Sequence, residues 1–155
     1  MRAVARSNDR NMLYRKPRIL LLVLAVFFFI GIGSGFAQNS AAYRACSQKA
    51  QSQAEMNRCA NEEATRADAE LNRVYNKVLA KAAADPEAVA KIKAAEKAWI
   101  AYRDGYMDAM YPVANKQSEY GSIYPMEADL LRARLSRQHI VELKELLQQY
   151  SGGPR

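Results

Sequence analysis

No segment of this sequence alternates apolar and polar residues as a half-buried strand would, and no stretch repeats at a fixed period. Both absences point away from sheets and repeat arrays. Chemistry-bearing residues are equally sparse: the 155 residues include a single histidine, His139, and two cysteines, Cys46 and Cys59. A Gly-rich phosphate loop, a nucleophile elbow and a His-Glu metal motif are all missing. His139 stands beside Arg137 and Gln138 with no second histidine, and two cysteines that pair with each other cannot complete a zinc site. Carboxylates are plentiful at Glu62, Glu63, Asp68 and Glu70, but along a helix such residues read as a solvated face rather than a hydrolase pair. The expectation is a protein with no catalytic residue, no metal ligand and no cofactor.

What is present begins with the leader. Residues 1–18 carry six Lys or Arg against one acid, Asp9, and are followed by the uncharged apolar run "ILLLVLAVFFFIGIG" and then "SGFAQNS". Charged, apolar and small residues in that order form a secretory signal, with Gly35 and Ala37 preceding a cut between Ala37 and Gln38. No cysteine follows the run, which argues against a lipid anchor, and no Arg-Arg pair precedes it. Met12 is an alternative start to Met1. An uncleaved anchor is the competing reading, because no charge falls between Arg18 and Arg44. Either way the domain is expected outside the cytoplasm, periplasmic or secreted, touching a membrane only through this segment.

Charge must be recounted without the leader. Removing residues 1–37 takes away six basic and one acidic residue, leaving 17 against 15, a net charge of +2 instead of +7. No basic stripe with interleaved aromatics survives, so nucleic acid is excluded as a partner. The remaining 118 residues suit one small domain whose modest core a covalent staple would help.

The cysteines supply that staple. In an oxidising compartment two cysteines without a third partner form a disulfide. Along one continuous helix Cys46 and Cys59 would stand about 20 Å apart, whereas a disulfide tolerates at most about 7 Å between Cα atoms. The chain must therefore turn between them. Ser52-Gln53-Ala54-Glu55 marks the place as a capping box, ending a short first helix near Gln51 and starting a second.

Met56, Ala60, Ala64, Ala67, Leu71, Val74, Val78 and Ala82 then recur at steps of three and four, the stripe of an amphipathic helix. Asp85-Pro86 ends that helix and opens the third, with Asp85 as cap and Pro86 at the first helical position. Ile92, Ala95, Trp99, Tyr102 and Tyr106 are expected on its inner side. Pro112 closes it, and "PVANKQSEYGSIYP" reads as the longest irregular stretch. A last helix from about Pro125 to Tyr150 turns Leu130, Ala133, Ile140, Leu143 and Leu147 inward before "SGGP" stops it. The fold class is all-α, a small disulfide-stapled bundle of three long helices and one short one.

The blocks "SQAEMNRCA", "ADAELNRVY", "KAWIAYRD", "YGS" and "LSRQHIVEL", in that order, resemble the lysozyme-inhibitor LprI N-terminal-like family of exported bacterial domains, from about Tyr43 to Leu147. The resemblance implies a small helical, disulfide-containing domain that binds and inhibits lysozyme. Two features depart from the family's pattern. Its second cysteine pair is replaced here by Met107 and, near enough, Leu131, and its double glycine before serine reads Tyr120-Gly121-Ser122.

Two further groups of residues carry alternative readings. Asn57, Asn61, Asp68 and Asn72 on the second helix face Arg103 on the third. They form either a surface for a partner or, the reading preferred here, an internal network in which Asp68 or Asn72 satisfies Arg103 beside Trp99. Tyr106, Met107, Met110, Tyr111, Tyr120 and Tyr124 form either an interface or the packing of the loop. Tyr111, Glu119, Tyr120 and Tyr124 are the candidate partner-binding residues. Asp104, Asp108 or Glu119 would meet a basic enzyme surface. The partner is then a lysozyme-like enzyme, or another envelope protein if the domain is a general interaction or stress module.

Overall fold

The computed structural model describes residues 39–152, so the leader and the Ala37–Gln38 junction lie outside the described residues. Five α-helices follow one another: α1 (Ala41–Ser47), α2 (Gln53–Ala82), α3 (Pro86–Met110), α4 (Lys116–Tyr120) and α5 (Tyr124–Ser151). A single 3₁₀ turn, Gly121–Ile123, joins α4 to α5. No strand occurs among the described residues, and none of their helices is long and apolar enough to cross a membrane.

Local chemistry sets the boundaries. Ser52 Oγ accepts from the Glu55 amide at 3.3 Å, while the Glu55 carboxylate reaches back to the Gln51 amide at 2.6 Å. The first bond satisfies a donor that the helix start leaves without a partner, and the second ties the preceding residue to the first turn. Asp85 caps α3 through the Ala88 amide at 3.0 Å, with Pro86 in the first turn where a missing N–H costs nothing. The connector after Pro112, read as irregular, is more ordered than that. Asn115 caps α4 by accepting from the Ser118 amide, and Gly121 ends it at φ 69° and ψ −163°. That backbone region is open essentially to glycine alone, so the single glycine of Tyr120-Gly121-Ser122 is sufficient to turn the chain.

Contacts advance together along α2 and α5. Asn61 bonds Asp129, Asp68 bonds Ser136, and Leu71 and Val74 cluster with Ile140 and Leu143. The two helices therefore run parallel. Alongside them α3 runs the other way, with Ala88 and Ile92 against Val78 and Ala82 and Trp99 against the Leu71 cluster. The result is an up-down-up bundle. Midway along it Ala64, Ala67 and Ala133 form their own buried cluster, and methyl groups at a helix crossing let the backbones approach closely.

α1 is held at the start of α2. Tyr43, Cys59 and Ala60 are buried together, with Cys46, Met126 and Leu130 packed beside them. Cys46 and Cys59 are bonded with 5.7 Å between their Cα atoms. Closing that loop restricts the unfolded chain by about 3 kcal/mol. The expected α2 stripe is buried from Ala60 to Ala82, and Met56 is half-buried.

On α3 the expected inner face fails toward its end. Ala95 is exposed, Trp99 and Tyr106 are half-buried, and Tyr102 is 58% exposed. The buried residues of α3 are Ala88, Ile92 and Glu96; none of its residues after Glu96 is buried. Helical spacing groups these side chains correctly, but the neighbouring helices cover only the first half of the stripe. Of the two residues standing where the second cysteine pair was expected, Leu131 is buried and Met107 half-buried.

Candidate functional site

The described residues place their exposed apolar side chains unevenly. Six large hydrophobic residues stand exposed, and five of them (Ile100, Tyr102, Met110, Val113 and Ile123) fall within the second half of α3 and the connector. Tyr102, Tyr106 and Met110 follow at steps of four, one line along a helix, and the Tyr102 and Tyr106 rings lie 6.0 Å apart. Met110 leads into an open cleft of about 470 Å³ whose lining includes Tyr111, Leu130, Leu131, Glu127 and Arg134.

The expected binding tyrosines make the end wall of this region. The Tyr111 ring meets Tyr120 and Tyr124 edge-on at 5.4 and 5.0 Å, and Tyr120 stacks on Tyr124 at 5.9 Å. All three are half-buried. Burial first, then Glu127 and the other two tyrosines, pushes the Tyr111 hydroxyl above its ordinary pKa. The triad therefore packs the connector against α5 and presents only its edges. Glu119 is exposed beside it. Asp108 stands exposed with Lys116 on it at 2.8 Å, a bond that raises the lysine's pKa.

The expected polar network forms differently. Arg103 bonds Asp104, its neighbour in sequence, at 2.8 Å and lies with its guanidinium carbon 5.3 Å from the Trp99 ring centre. Asp68 instead accepts from Ser136 Oγ at 2.7 Å, with Arg132 at 3.8 Å. Asp68, Asn72 and Arg103 do border one small cleft with Leu71, Glu96, Trp99 and Ile100. Arg103 is not satisfied by either α2 residue, because an acceptor on its own helix and the Trp99 face are closer at hand. Asn57 bonds the Ser122 carbonyl at 3.0 Å, tying the connector to α2.

Two buried polar groups were not legible as such. Glu63, read as part of a solvated face, is 1% exposed. It accepts from the Ser40 amide at 2.8 Å, from Ser40 Oγ, from Arg66 at 3.1 Å and from Arg137 at 2.7 Å. Burial pushes its carboxyl up, but the Ser40 bonds, Arg66 and Arg137 outweigh burial and hold it below the usual carboxylate range. The other group is His139, read as lacking partners. Its Nε2 lies 2.9 Å from Glu96 Oε2 and its Nδ1 2.7 Å from Glu142 Oε2. Its ring stacks on Trp99 with centroids 4.2 Å apart and planes 7° from parallel. A carboxylate three residues on, Glu142, was the one visible signal; Glu96 sits 43 residues away. No group of three or more His, Cys, Asp or Glu placed to hold a metal ion occurs among the described residues.

A helical domain with a Cys46–Cys59 bridge and an exposed apolar end is thus in place, and comparison with known proteins gives it a relationship. The chain is 38% identical over 112 residues to the uncharacterized protein R02472 of Rhizobium meliloti (strain 1021), covering 65% of this chain and 78% of that one. No solved structure matches it significantly. The family model described as lysozyme inhibitor LprI matches residues 44–143, and the chain belongs to that family.

Proposed function

We propose that this protein is an exported, non-enzymatic binding module of the bacterial envelope that inhibits a lysozyme-type enzyme by direct contact. The observation that carries the reading is that, among the described residues, five of the six exposed large hydrophobic side chains fall between Ile100 and Ile123. Large apolar side chains left exposed in one segment of a small domain point to an interaction site. Membership of the lysozyme inhibitor LprI family supplies the kind of partner. The leader sequence and the disulfide both support a location outside the cytoplasm.

Contact begins along Tyr102, Tyr106 and Met110 and reaches the cleft behind Met110. Tyrosine and methionine suit such a surface, offering large area with adaptable tips. Tyr111, Tyr120 and Tyr124 hold the connector rigid, which lowers the entropy lost on binding. Glu119 meets the basic surface of the enzyme, while Asp104 and Asp108 are already engaged by Arg103 and Lys116.

The test is the clearing of a bacterial cell-wall suspension by lysozyme, with and without the exported, oxidised protein. Clearing should be suppressed in proportion to added protein until one equivalent is present. Undiminished clearing at large molar excess would overturn the reading.

A further inference from the structure

Three buried side-chain donors have no acceptor among the described residues: Nε of Arg132, and both Nε and Nη2 of Arg137. Arg132 Nε stands 3.8 Å from Asp68, a long ion pair that accounts for it. Arg137 has no such explanation. Its Nη1 donates to Glu63 at 2.7 Å, and the other two nitrogens share one edge of the planar guanidinium. Their parallel N–H bonds are the fork that takes two oxygens of a carboxylate or phosphate. A buried donor without an acceptor needs a reason, and here a matched pair of them goes unused.

Arg137 also lines an open cleft of about 260 Å³ between α1, α2 and α5, walled by the apolar side chains of Ala42, Ala67 and Ile140. That volume lies just under the roughly 300 Å³ at which ligand pockets begin, so the occupant is small. The charged groups at the cleft are Arg66 and Arg137 against Glu63 and Glu70. Glu70 is engaged by Arg73 at 2.6 Å. Glu63 is the shared acceptor of Arg66 and Arg137. Arg66 has a second carboxylate in Glu62 at 3.8 Å, but that pair is exposed and weak. Two guanidinium groups therefore share one buried carboxylate beside an apolar wall, and a second carboxylate would complete the balance. Arg137 would stand between the two anions, offering each a different edge.

We propose that the cleft between α1, α2 and α5 binds a small amphiphilic carboxylate. Nε and Nη2 of Arg137 take its two oxygens, and its apolar body lies on Ala42, Ala67 and Ile140. The Arg66 side chain, 43% exposed, moves aside to admit it. This site shares no residue with the exposed segment between Ile100 and Ile123 and does not depend on the proposed function.

Titration of the full exported, oxidised protein with octanoate tests the site. The readout is the Nε–H resonance of Arg137 in proton–nitrogen-15 spectra, assigned by its loss in Arg137→Lys. One equivalent should bind saturably and displace that resonance. Arg137→Lys keeps a charge beside Glu63 but has no fork, and should bind octanoate at least about tenfold more weakly. Acetate and inorganic phosphate lack the apolar body and should also bind at least about tenfold more weakly than octanoate. Octanol and octyltrimethylammonium should leave the resonance in place. Should Arg137→Lys fail to fold, Ala42→Glu on the exposed side of α1 sets a like charge at the cleft. It should weaken octanoate binding, whereas Ala42→Gln, equal in size, should weaken it less. Absence of saturable binding, equal affinity in Arg137→Lys, equal affinity in Ala42→Glu and Ala42→Gln, or equal affinity for octanol, acetate or phosphate would overturn the proposal. A resonance that no probe moves would assign the fork to an internal water and overturn it as well.

Discussion

The two halves of α3 carry similar side chains and use them in opposite ways. In the first half Ala88 and Ile92 are buried against Val78 and Ala82, with Leu146, Leu147 and Tyr150 packed around them. In the second half Ile100, Tyr102 and Met110 stand exposed on a helix of equal regularity. Hydrophobicity therefore does not separate core from surface here. The difference is supplied by the neighbours, which bury residues of α3 up to Glu96 and cover the rest only in part.

Truncation should expose that contrast most strongly at Ile92. Ile92→Ala leaves a cavity and is expected to cost about 2–5 kcal/mol, read as a shift in the denaturation midpoint. Breaking the staple comes next: Cys59→Ser should lose about 3 kcal/mol, and an unchanged melting curve would show that α1 needs no bridge. Glu63→Gln should cost about 1–3 kcal/mol near neutral pH, since Arg137 and Ser40 lose a charged acceptor. The sign with pH follows from a carboxyl held below its ordinary value in the folded state. Its stabilisation is present above the unfolded value and is lost as pH falls through the folded one. The gap between wild type and Glu63→Gln should accordingly close on acidification, as followed by thermal melts across the acid range. The smallest effect is expected in the outer half, where Tyr102→Ala should change stability by no more than about 0.5 kcal/mol. A large loss there would mean that the exposed face belongs to the core after all.

Much of the fold was legible because its determinants are local. Ser52 with Glu55 and Asp85 with Pro86 mark helix starts within four residues of sequence, and Ser52 and Asp85 cap as the pattern implies, while Glu55 reaches back one residue further, to Gln51. The α2 stripe was legible because a long helix buried along one side writes its period plainly. The site was less so. Glu63 looks like its exposed neighbour Glu62 until Ser40 and Arg137, 23 and 74 residues away, converge on it. Arg103 was assigned to α2 acceptors, but Asp104 beside it and the Trp99 face hold it instead. Tyr102 shares the helical side of Trp99, yet period alone cannot show how far along that side the neighbouring helices pack. The tyrosine cluster was visible as composition, and its division of labour was not. Tyr111, Tyr120 and Tyr124 brace one another, while Tyr102 and Met110 carry the exposed area.

The central claim is that the second half of α3 binds the partner while the first half holds the fold. Calorimetric titration of lysozyme with the wild-type protein and with Tyr102→Ala/Met110→Ala tests it most directly. The double variant should melt close to the wild type and bind at least about tenfold more weakly, as expected when central anchors are truncated. Equal affinity of the two proteins would contradict the claim and move the binding face elsewhere on the bundle.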